Sequence, residues 1–509
     1  MKPFKSIIYI IFVIIFSHCS ILKQRPKGDE KIDFTFLQLN DVYEIAPIQG
    51  GAFGGMARVA TLYKELLKEN PNTMLFLAGD FLNPSLLGTL KIDGERVRGK
   101  QMVEVMNAMN FDLVAFGNHE FDLSQKDLQK RLNESTFPWV SANVKLKTKE
   151  AAMPFYKDKE GEKEYVGETF IKDISDADGT TIKIGFISVC IPSNPKDYVE
   201  YANMFVKARA SYAYLKDKVD VIFGLTHVKI NHDRKIAQLI PDLPLIMGGH
   251  EHTNKYEKIG DVTIAKADAN AKSVYVHKIS FDKKTKKTTV QSELKEINAS
   301  IEPNIEVDKV VQKWQSVLNR QIKEVIAKPN EVIFNAKVPL DGRDTTIRSQ
   351  QTNLGEIITA AMSFAFNGNV DAALVNGGSI RIDDQLYGNI TAVDIFKVLP
   401  YGGAILKVEL TGELLKRVLD YGKLAKGTGA YLQRHNISLQ NNRWLVNGKS
   451  IEPNKKYTVA FSDYLLKGYD IPFLSNTNPN VLSVYTPTIE EFGYDIRKSV
   501  AEYLKYINN

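Results

Sequence analysis

The stretch Phe116-Gly117-Asn118-His119-Glu120-Phe121-Asp122 constrains this chain more than any other. The apolar run Asp112-Leu113-Val114-Ala115 reads as a buried strand, and a glycine breaks it before an amide, an imidazole and two carboxylates follow in quick succession. A hydrophobic core has no use for such an ending. Four other apolar runs end the same way: Phe34 to Leu39 runs into Asn40-Asp41, Thr73 to Ala78 into Gly79-Asp80, Val219 to Leu225 into Thr226-His227, and Leu243 to Met247 into Gly248-Gly249-His250-Glu251-His252. In an open α/β sheet, ligands bind at the carboxyl ends of the strands, so these endings belong to one shared site.

That site has the donors of a metal centre. Asp41, Asp80, the Asn118 carbonyl, His227, His250 and His252 make a mixed oxygen and nitrogen shell, with neither Cys19 nor Cys190 in reach of the pattern. Zn, Mn, Fe or Co suits such a shell better than a thiolate zinc site would. Six candidates exceed one tetrahedral ion. A carboxylate bridging two ions about 3.5 to 4 Å apart uses them all, and such a pair acidifies a bridging water and clamps a phosphoryl group. Phosphate-ester hydrolysis is the reaction this set implies.

Asp41, Gly79-Asp80, Gly117-Asn118-His119-Glu120, His227 and Gly248 with His250-x-His252 resemble the calcineurin-like metallophosphoesterases, with a spacing similar to their secreted 5′-nucleotidase branch. The resemblance implies two divalent ions, one held by Asp41, Asp80 and His252, the other by Asp80, Asn118, His227 and His250. It also implies a catalytic pair: His119 stabilises the phosphoryl charge or protonates the leaving alkoxide, and Asp122 orients it. One position departs from the family text. Where the first motif usually reads Asp-x-His, this chain reads Asp41-Val42-Tyr43. A phenol with a pKa near 10 is a poor ligand unless it is deprotonated, so the first site is expected to be weaker, with Tyr43 packing against it.

The ends of the chain carry a different kind of signal. Lys2 and Lys5 precede the apolar run Ile7 to Phe16, too short to span a bilayer but suited to a signal-peptide core over residues 1–18. Ser17-His18-Cys19-Ser20 resembles a loose bacterial lipobox, which makes Cys19 the expected lipid-bearing residue and the periplasm or cell envelope the expected location. Residues 19–31 read as a tether. Cys190 sits inside an apolar strand and is expected to be an inert core thiol. With 66 Lys+Arg against 60 Asp+Glu the net charge is only +6, too mild and dispersed for a nucleic-acid polymer partner.

Helical patterns fall between the strand endings, at Gly55 to Asn70 and Lys100 to Asn110, while Val144 to Asp178 is charged and weakly periodic and reads as a surface hairpin or insertion. Thr181 to Ile191 reads as a further strand, and Val274 to Phe281 as a strand of an all-β second sheet. Asp308 to Ala327 carries an apolar stripe and is closed by Pro329. The second half brings its own motifs: Arg348 in Thr346 to Gly355, Asn376-Gly377-Gly378-Ser379-Ile380-Arg381, Tyr401 after Pro400, and Tyr464 and Asp470 near the end. These resemble the nucleotide-binding domain that accompanies 5′-nucleotidases. The resemblance implies that Arg348 and Arg381 meet substrate phosphate or catalytic anions, that Asn376 and Asp470 bind base or ribose, and that Tyr401 and Tyr464 sandwich the base. His232, His277 and His435 fit no motif and read as surface or packing residues.

The expected architecture is α/β: a four-layer α/β/β/α metallophosphatase domain over residues 32–303, a linking helix over 304–328, and a second α/β nucleotide-binding domain over 329–509. The expected activity is hydrolysis of nucleotide phosphate esters by a metal-bridging hydroxide, releasing nucleoside and phosphate. On the same scaffold, a 2′,3′-cyclic phosphodiesterase, a nucleotide-sugar diphosphatase or a sulfur-ester hydrolase stays open. A lipoprotein that binds a nucleotide or host component without turnover is the reading of another class.

Overall fold

The computed structural model describes residues 28, 30–192 and 196–508, so the signal-peptide core, Cys19 and the tether up to residue 27 lie outside it. Two six-stranded sheets build the first half. One runs in the order Lys287–Glu296, Ser273–Asp282, Lys31–Leu39, Thr73–Ala78, Leu113–Ala115, Trp139–Val140; the other runs Thr169–Ser175, Thr181–Ile187, Val221–His227, Leu245–Gly249, Val262–Lys266, Lys255–Ile259.

The strands that end in polar motifs are the parallel ones. Lys31–Leu39 pairs in parallel with Thr73–Ala78, and that strand with Leu113–Ala115. In the second sheet Val221–His227 pairs in parallel with Leu245–Gly249. Thr73–Ala78 and Val221–His227 are buried along their whole length, as continuous apolar runs flanked on both faces must be. Between the sheets lies an aromatic core in which Phe36 meets Phe76 at 4.8 Å and Phe223 at 5.0 Å, both edge to face. Met56–Glu69 and Lys100–Met109 cover the outer face of the first sheet, and Met204–Leu215 and Ile230–Leu239 that of the second. The layers are α/β/β/α.

Two expectations need correction. Val274 to Phe281 belongs to Ser273–Asp282, which joins the first sheet antiparallel to Lys31–Leu39 rather than a separate all-β sheet. Alternation of apolar and polar residues reports a half-buried strand but not its partner, and this partner lies more than two hundred residues away. The charged segment from Val144 is not wholly peripheral either. Thr169–Ser175 forms the edge strand of the second sheet, and Val144, Leu146, Phe155 and Val166 enter the core.

Ile305–Lys323 is capped by the Asn304 side chain, which accepts from Val307 N–H, and carries acids in its first turn and Arg320 and Lys323 in its last. Val307, Val311, Trp314, Leu318 and Ile322 pack it against the first half, and Trp314 Nε1 donates to Glu104 at 3.0 Å. The second half holds a five-stranded sheet in the order Leu432–His435, Ala372–Asn376, Lys456–Ser462, Ile405–Thr411, Val481–Tyr485. Asn353–Phe364 and Ile496–Asn508 pack on one face of it and Gly412–Leu424 on the other. Among the described residues no helix is long and apolar enough to cross a membrane.

Candidate active site

Five of the parallel strands, Lys31–Leu39, Thr73–Ala78, Leu113–Ala115, Val221–His227 and Leu245–Gly249, hand their polar endings to the same point, three of them by turning sharply. Asp41, Asp80 and His250 have φ of 52°, 59° and 84°, a left-handed backbone that side-chain-bearing residues adopt only where their surroundings hold them. The glycines beside them are required by close approach. A Cβ on Gly117 would stand 2.1 Å from Asp80 Oδ1, and one on Gly249 would stand 2.2 Å from the Ala78 carbonyl. Glu120 locks the turn from beneath. Its buried carboxylate accepts the backbone N–H groups of Asp80, Phe81, Leu82 and Gly117 at 2.9, 2.8, 3.1 and 2.6 Å. Nothing in its acidic side chain announced this anchoring role, although the motif contained it.

All six donor residues meet. His227 Nε2 lies 3.0 Å from Asp80 Oδ2 and 3.2 Å from Asn118 Oδ1, while His250 Nδ1 lies 3.1 Å from the same Asn118 oxygen. His227 Nδ1 lies 2.8 Å from the Ala78 carbonyl, which turns Nε2 toward the other donors, the orientation a ligating imidazole needs. Asp41 Oδ2 accepts His250 N–H at 2.9 Å; its other oxygen is buried without a hydrogen bond and faces His252 Nε2 at 3.6 Å. Donor atoms of Asp80, His227 and His250 all lie within 4.8 Å of one another. A buried, orphaned carboxylate oxygen beside converging imidazole lone pairs is the chemistry of a divalent-cation site, and these residues fit one.

Tyr43 stands inside this ring. Its hydroxyl lies 3.1 Å from His252 Nε2 and 3.4 Å from Asp80 Oδ2. Burial, and then the Asp80 and Asp41 carboxylates, push the phenol well above its ordinary pKa, so it is a neutral donor here.

His119 and Asp122 form the expected pair on the rim, with Nδ1 2.7 Å from Asp122 Oδ2. Burial opposes the imidazolium charge, but Asp80 and then Asp122 outweigh it and raise His119 to about 9. Asn83 Nδ2 donates to the same Asp122 oxygen at 2.8 Å, and Arg381 Nη2 reaches it from the second half at 3.5 Å. A second strand of contact runs through Asp383. Its backbone carbonyl accepts from His252 Nδ1 at 2.8 Å, a role the sequence reading missed, though Asp383 follows two residues behind Arg381.

Between the halves opens a cavity of about 540 Å³ lined by Asp122, Asn376, Arg381, Tyr401, Tyr464 and Asp470. Asn376 Nδ2 donates to Asp470 at 2.7 Å, Tyr464 Oη to the other Asp470 oxygen at 3.3 Å, and Ser379 Oγ to Asn376 at 2.6 Å. Tyr401 and Tyr464 are 53% and 38% exposed, large aromatic faces left open to the cavity. Arg348 is placed differently. It is not among the lining side chains and pairs with Asp344 at 2.5 Å.

A buried acid-imidazole ring at the carboxyl ends of two packed sheets, facing a His–Asp pair, defines a metal-dependent phosphoesterase. Comparison with known proteins narrows the class. Residues 34–254 match the calcineurin-like phosphoesterase model and residues 332–475 match the 5′-nucleotidase C-terminal domain, so the chain belongs to the two-domain 5′-nucleotidase family. It is 27% identical over 420 residues to the human 5′-nucleotidase, covering 75% of this chain and 68% of that protein. It is 28% identical over 444 residues to the trifunctional nucleotide phosphoesterase YfkN of Bacillus subtilis, covering 80% of this chain and 29% of that longer protein. The same fold occurs in a 5′-nucleotidase precursor from Thermus thermophilus, at TM-score 0.66 and 22% identity over 94% of this chain and 97% of that one.

Proposed function

We propose that the chain hydrolyses phosphate esters of nucleotides to nucleoside and phosphate. The observation that carries this reading is a chain of contact: His119 donates its backbone N–H to Asp80 of the donor ring and pairs with Asp122, and Asp122 and Arg381 line a cavity shared with Asn376, Asp470 and two open tyrosines. In this reading Asp41, Asp80 and His252 hold one ion and Asp80, Asn118, His227 and His250 the other. Bound there, two divalent ions supply an acidified water and neutralise charge on the phosphoryl oxygens. Tyr43 packs a neutral hydroxyl against the first position where the family has an imidazole, so that position has one protein donor fewer and is weaker.

The protein groups divide the remaining work. His119, held by Asp122 through Nδ1, presents Nε2–H either to a phosphoryl oxygen, whose charge it stabilises by hydrogen bonding, or to the leaving alkoxide, which takes up its proton. Arg381 adds a charge-assisted hydrogen bond to the phosphate, with Arg348 available if Asp344 releases it. Tyr401 and Tyr464 stack the base, while Asn376 and Asp470 take up base or ribose polar edges. We assign residues 32–303 to the first domain, 304–328 to the linking helix and 329–509 to the second. The amino-terminal pattern supports export and anchoring to the cell envelope through a lipid on Cys19.

The test is phosphate release from AMP, ADP, ATP, UDP-glucose and a cyclic nucleotide by metal-stripped protein titrated with Mn, Zn, Co or Mg, beside His119→Ala. Metal-dependent release lost in the variant is the expected result. Saturable nucleotide binding without release under any metal would overturn the reading and mark a binder.

A further inference from the structure

Behind the histidine loops lies a cation that the proposed reaction does not use. Lys266 ends the strand Val262–Lys266 and its side chain is entirely buried. Its ammonium donates to the carbonyl oxygens of Val228 at 2.5 Å and Gly249 at 2.8 Å, and it pairs with Asp233 at 2.8 Å and with Glu251. The order of those partners along the chain matters. Val228 follows His227, Gly249 precedes His250, and Glu251 stands between His250 and His252. The two carboxylates extend the grip: Asp233 accepts from Thr226, the residue before His227, at 2.7 Å, and Glu251 accepts the Ile230 N–H at 2.6 Å.

A buried ammonium is costly to desolvate, and three N–H bonds to two carbonyls and Glu251, with the Asp233 carboxylate beside it, are what make it tolerable. Burial opposes its charge, but Asp233 and then Glu251 hold its pKa above the ordinary value. The loop is shaped around it. A Cβ on Gly248 would stand 2.8 Å from Lys266 Cε, so the chain crosses the lysine only as glycine. One residue beyond Gly249 the backbone enters the left-handed conformation of His250, at φ 84°, held by Lys266 on the preceding carbonyl and by Asp41 on its own N–H.

We propose that Lys266 is a positioning residue of the metal centre: one ammonium fixes the peptides flanking His227 and His250, and through Glu251 the segment leading to His252. The imidazoles then keep their aim at Asp80, Asn118 and Asp41. This rests on the reading that these histidines are ligands. A purely structural salt bridge would stabilise the fold without setting metal affinity, and the two roles separate by experiment.

The experiment uses the whole chain. Lys266→Met with Asp233→Asn removes the ammonium without stranding a buried carboxylate, and Glu251→Gln breaks one leg while leaving the lysine in place. Manganese affinity of metal-stripped protein is measured by calorimetry, beside circular dichroism and adenosine binding to the second domain. Wild type should bind manganese, the double variant about 10-fold or more weakly and Glu251→Gln in between, with adenosine affinity unchanged. Folded variants that bind manganese as wild type does would overturn the proposal. Should the double variant fail to fold, Glu251→Gln decides alone, wild-type affinity again counting against it. A wild type that binds no manganese, zinc or cobalt would instead bring down the ligand reading and this proposal with it.

Discussion

The hydroxyl of Tyr43 lies 3.1 Å from Nε2 of His252, the ring nitrogen turned away from the Asp383 carbonyl, which Nδ1 faces at 2.8 Å. In the proposed reading a protonated phenol therefore stands beside the nitrogen that would hold the first ion, and it is a weak donor to a cation. Tyr43→His should restore an imidazole there. Metal content of dialysed protein, by elemental analysis, is expected to rise toward two ions per chain, while Tyr43→Phe should stay at the wild-type level. Equal content in all three proteins would show that position 43 does not set occupancy.

His119 and Asp122 can be separated from the metal centre by the same kind of comparison. His119 hydrogen-bonds to the donor ring through its backbone N–H, which donates to Asp80 Oδ1 at 2.7 Å and survives any side-chain change, while its imidazole meets the Tyr43 ring edge to face at 6.2 Å. His119→Asn should lower kcat by about 10²- to 10⁴-fold at saturating metal, with metal content unchanged. Asp122→Asn should cost less, because it disturbs the orientation and charge of His119 but leaves the imidazole in place. Loss of bound metal in His119→Asn would argue against a proton-transfer role.

The tyrosine wall makes a claim about substrate rather than chemistry. Tyr401 and Tyr464 are half-exposed at the cavity, and base stacking on such a face contributes about 1 to 3 kcal/mol per contact. Tyr401→Ala with Tyr464→Ala should raise KM for AMP at least several-fold and leave KM for a simple aryl phosphate within twofold. Equal losses on both substrates would remove base stacking from the account.

How much of this was readable beforehand depends on what kind of contact each residue makes. The five strand endings were legible because chemistry-bearing side chains stand where an apolar run stops, and the fold brings all of those endings together. Glu120 and Lys266 were not, since the four N–H groups that Glu120 holds and two of the four partners of Lys266 are backbone groups, which every residue possesses. The sheet that takes up Ser273–Asp282 was misassigned because alternation carries no address. Arg348 shows the opposite limit: the motif is present, but a carboxylate four residues away, Asp344, already holds the guanidinium.

Glu120 yields a stability prediction from that backbone network. Its carboxylate satisfies four N–H groups in a turn where water has no access, and each donor left unpaired costs about 1 to 3 kcal/mol. Glu120→Ala should lower the unfolding free energy by several times that single-donor cost or abolish soluble expression. Glu120→Gln, which keeps one acceptor oxygen, should fall between. A urea midpoint for Glu120→Ala equal to that of wild type would show that water replaces the carboxylate.

His277 supplies a pH dependence at a distance from the donor ring. It is entirely buried in the strand Ser273–Asp282, stacked on Tyr275 at 5.6 Å, with Nδ1 2.8 Å from Ser292 Oγ and Nε2 2.9 Å from Gln38 Oε1. Burial alone lowers its pKa from 6.5 to about 3, so the folded chain keeps the ring neutral where the unfolded chain would protonate it. Between those values the unfolded state binds more protons, and unfolding becomes easier as pH falls. The neutral ring's contribution is fully present above pH 6.5 and is lost at about 1.4 kcal/mol per unit below it, about 2 kcal/mol by pH 5. His277→Gln can still bridge Ser292 and Gln38 but does not titrate. Urea unfolding of both proteins at pH 7.5, 6 and 5, in chelator, cancels every titration they share. The wild-type curve should therefore fall more steeply with acid than the variant's, and parallel curves would mean that His277 is hydrated enough in the folded state to take up its proton there.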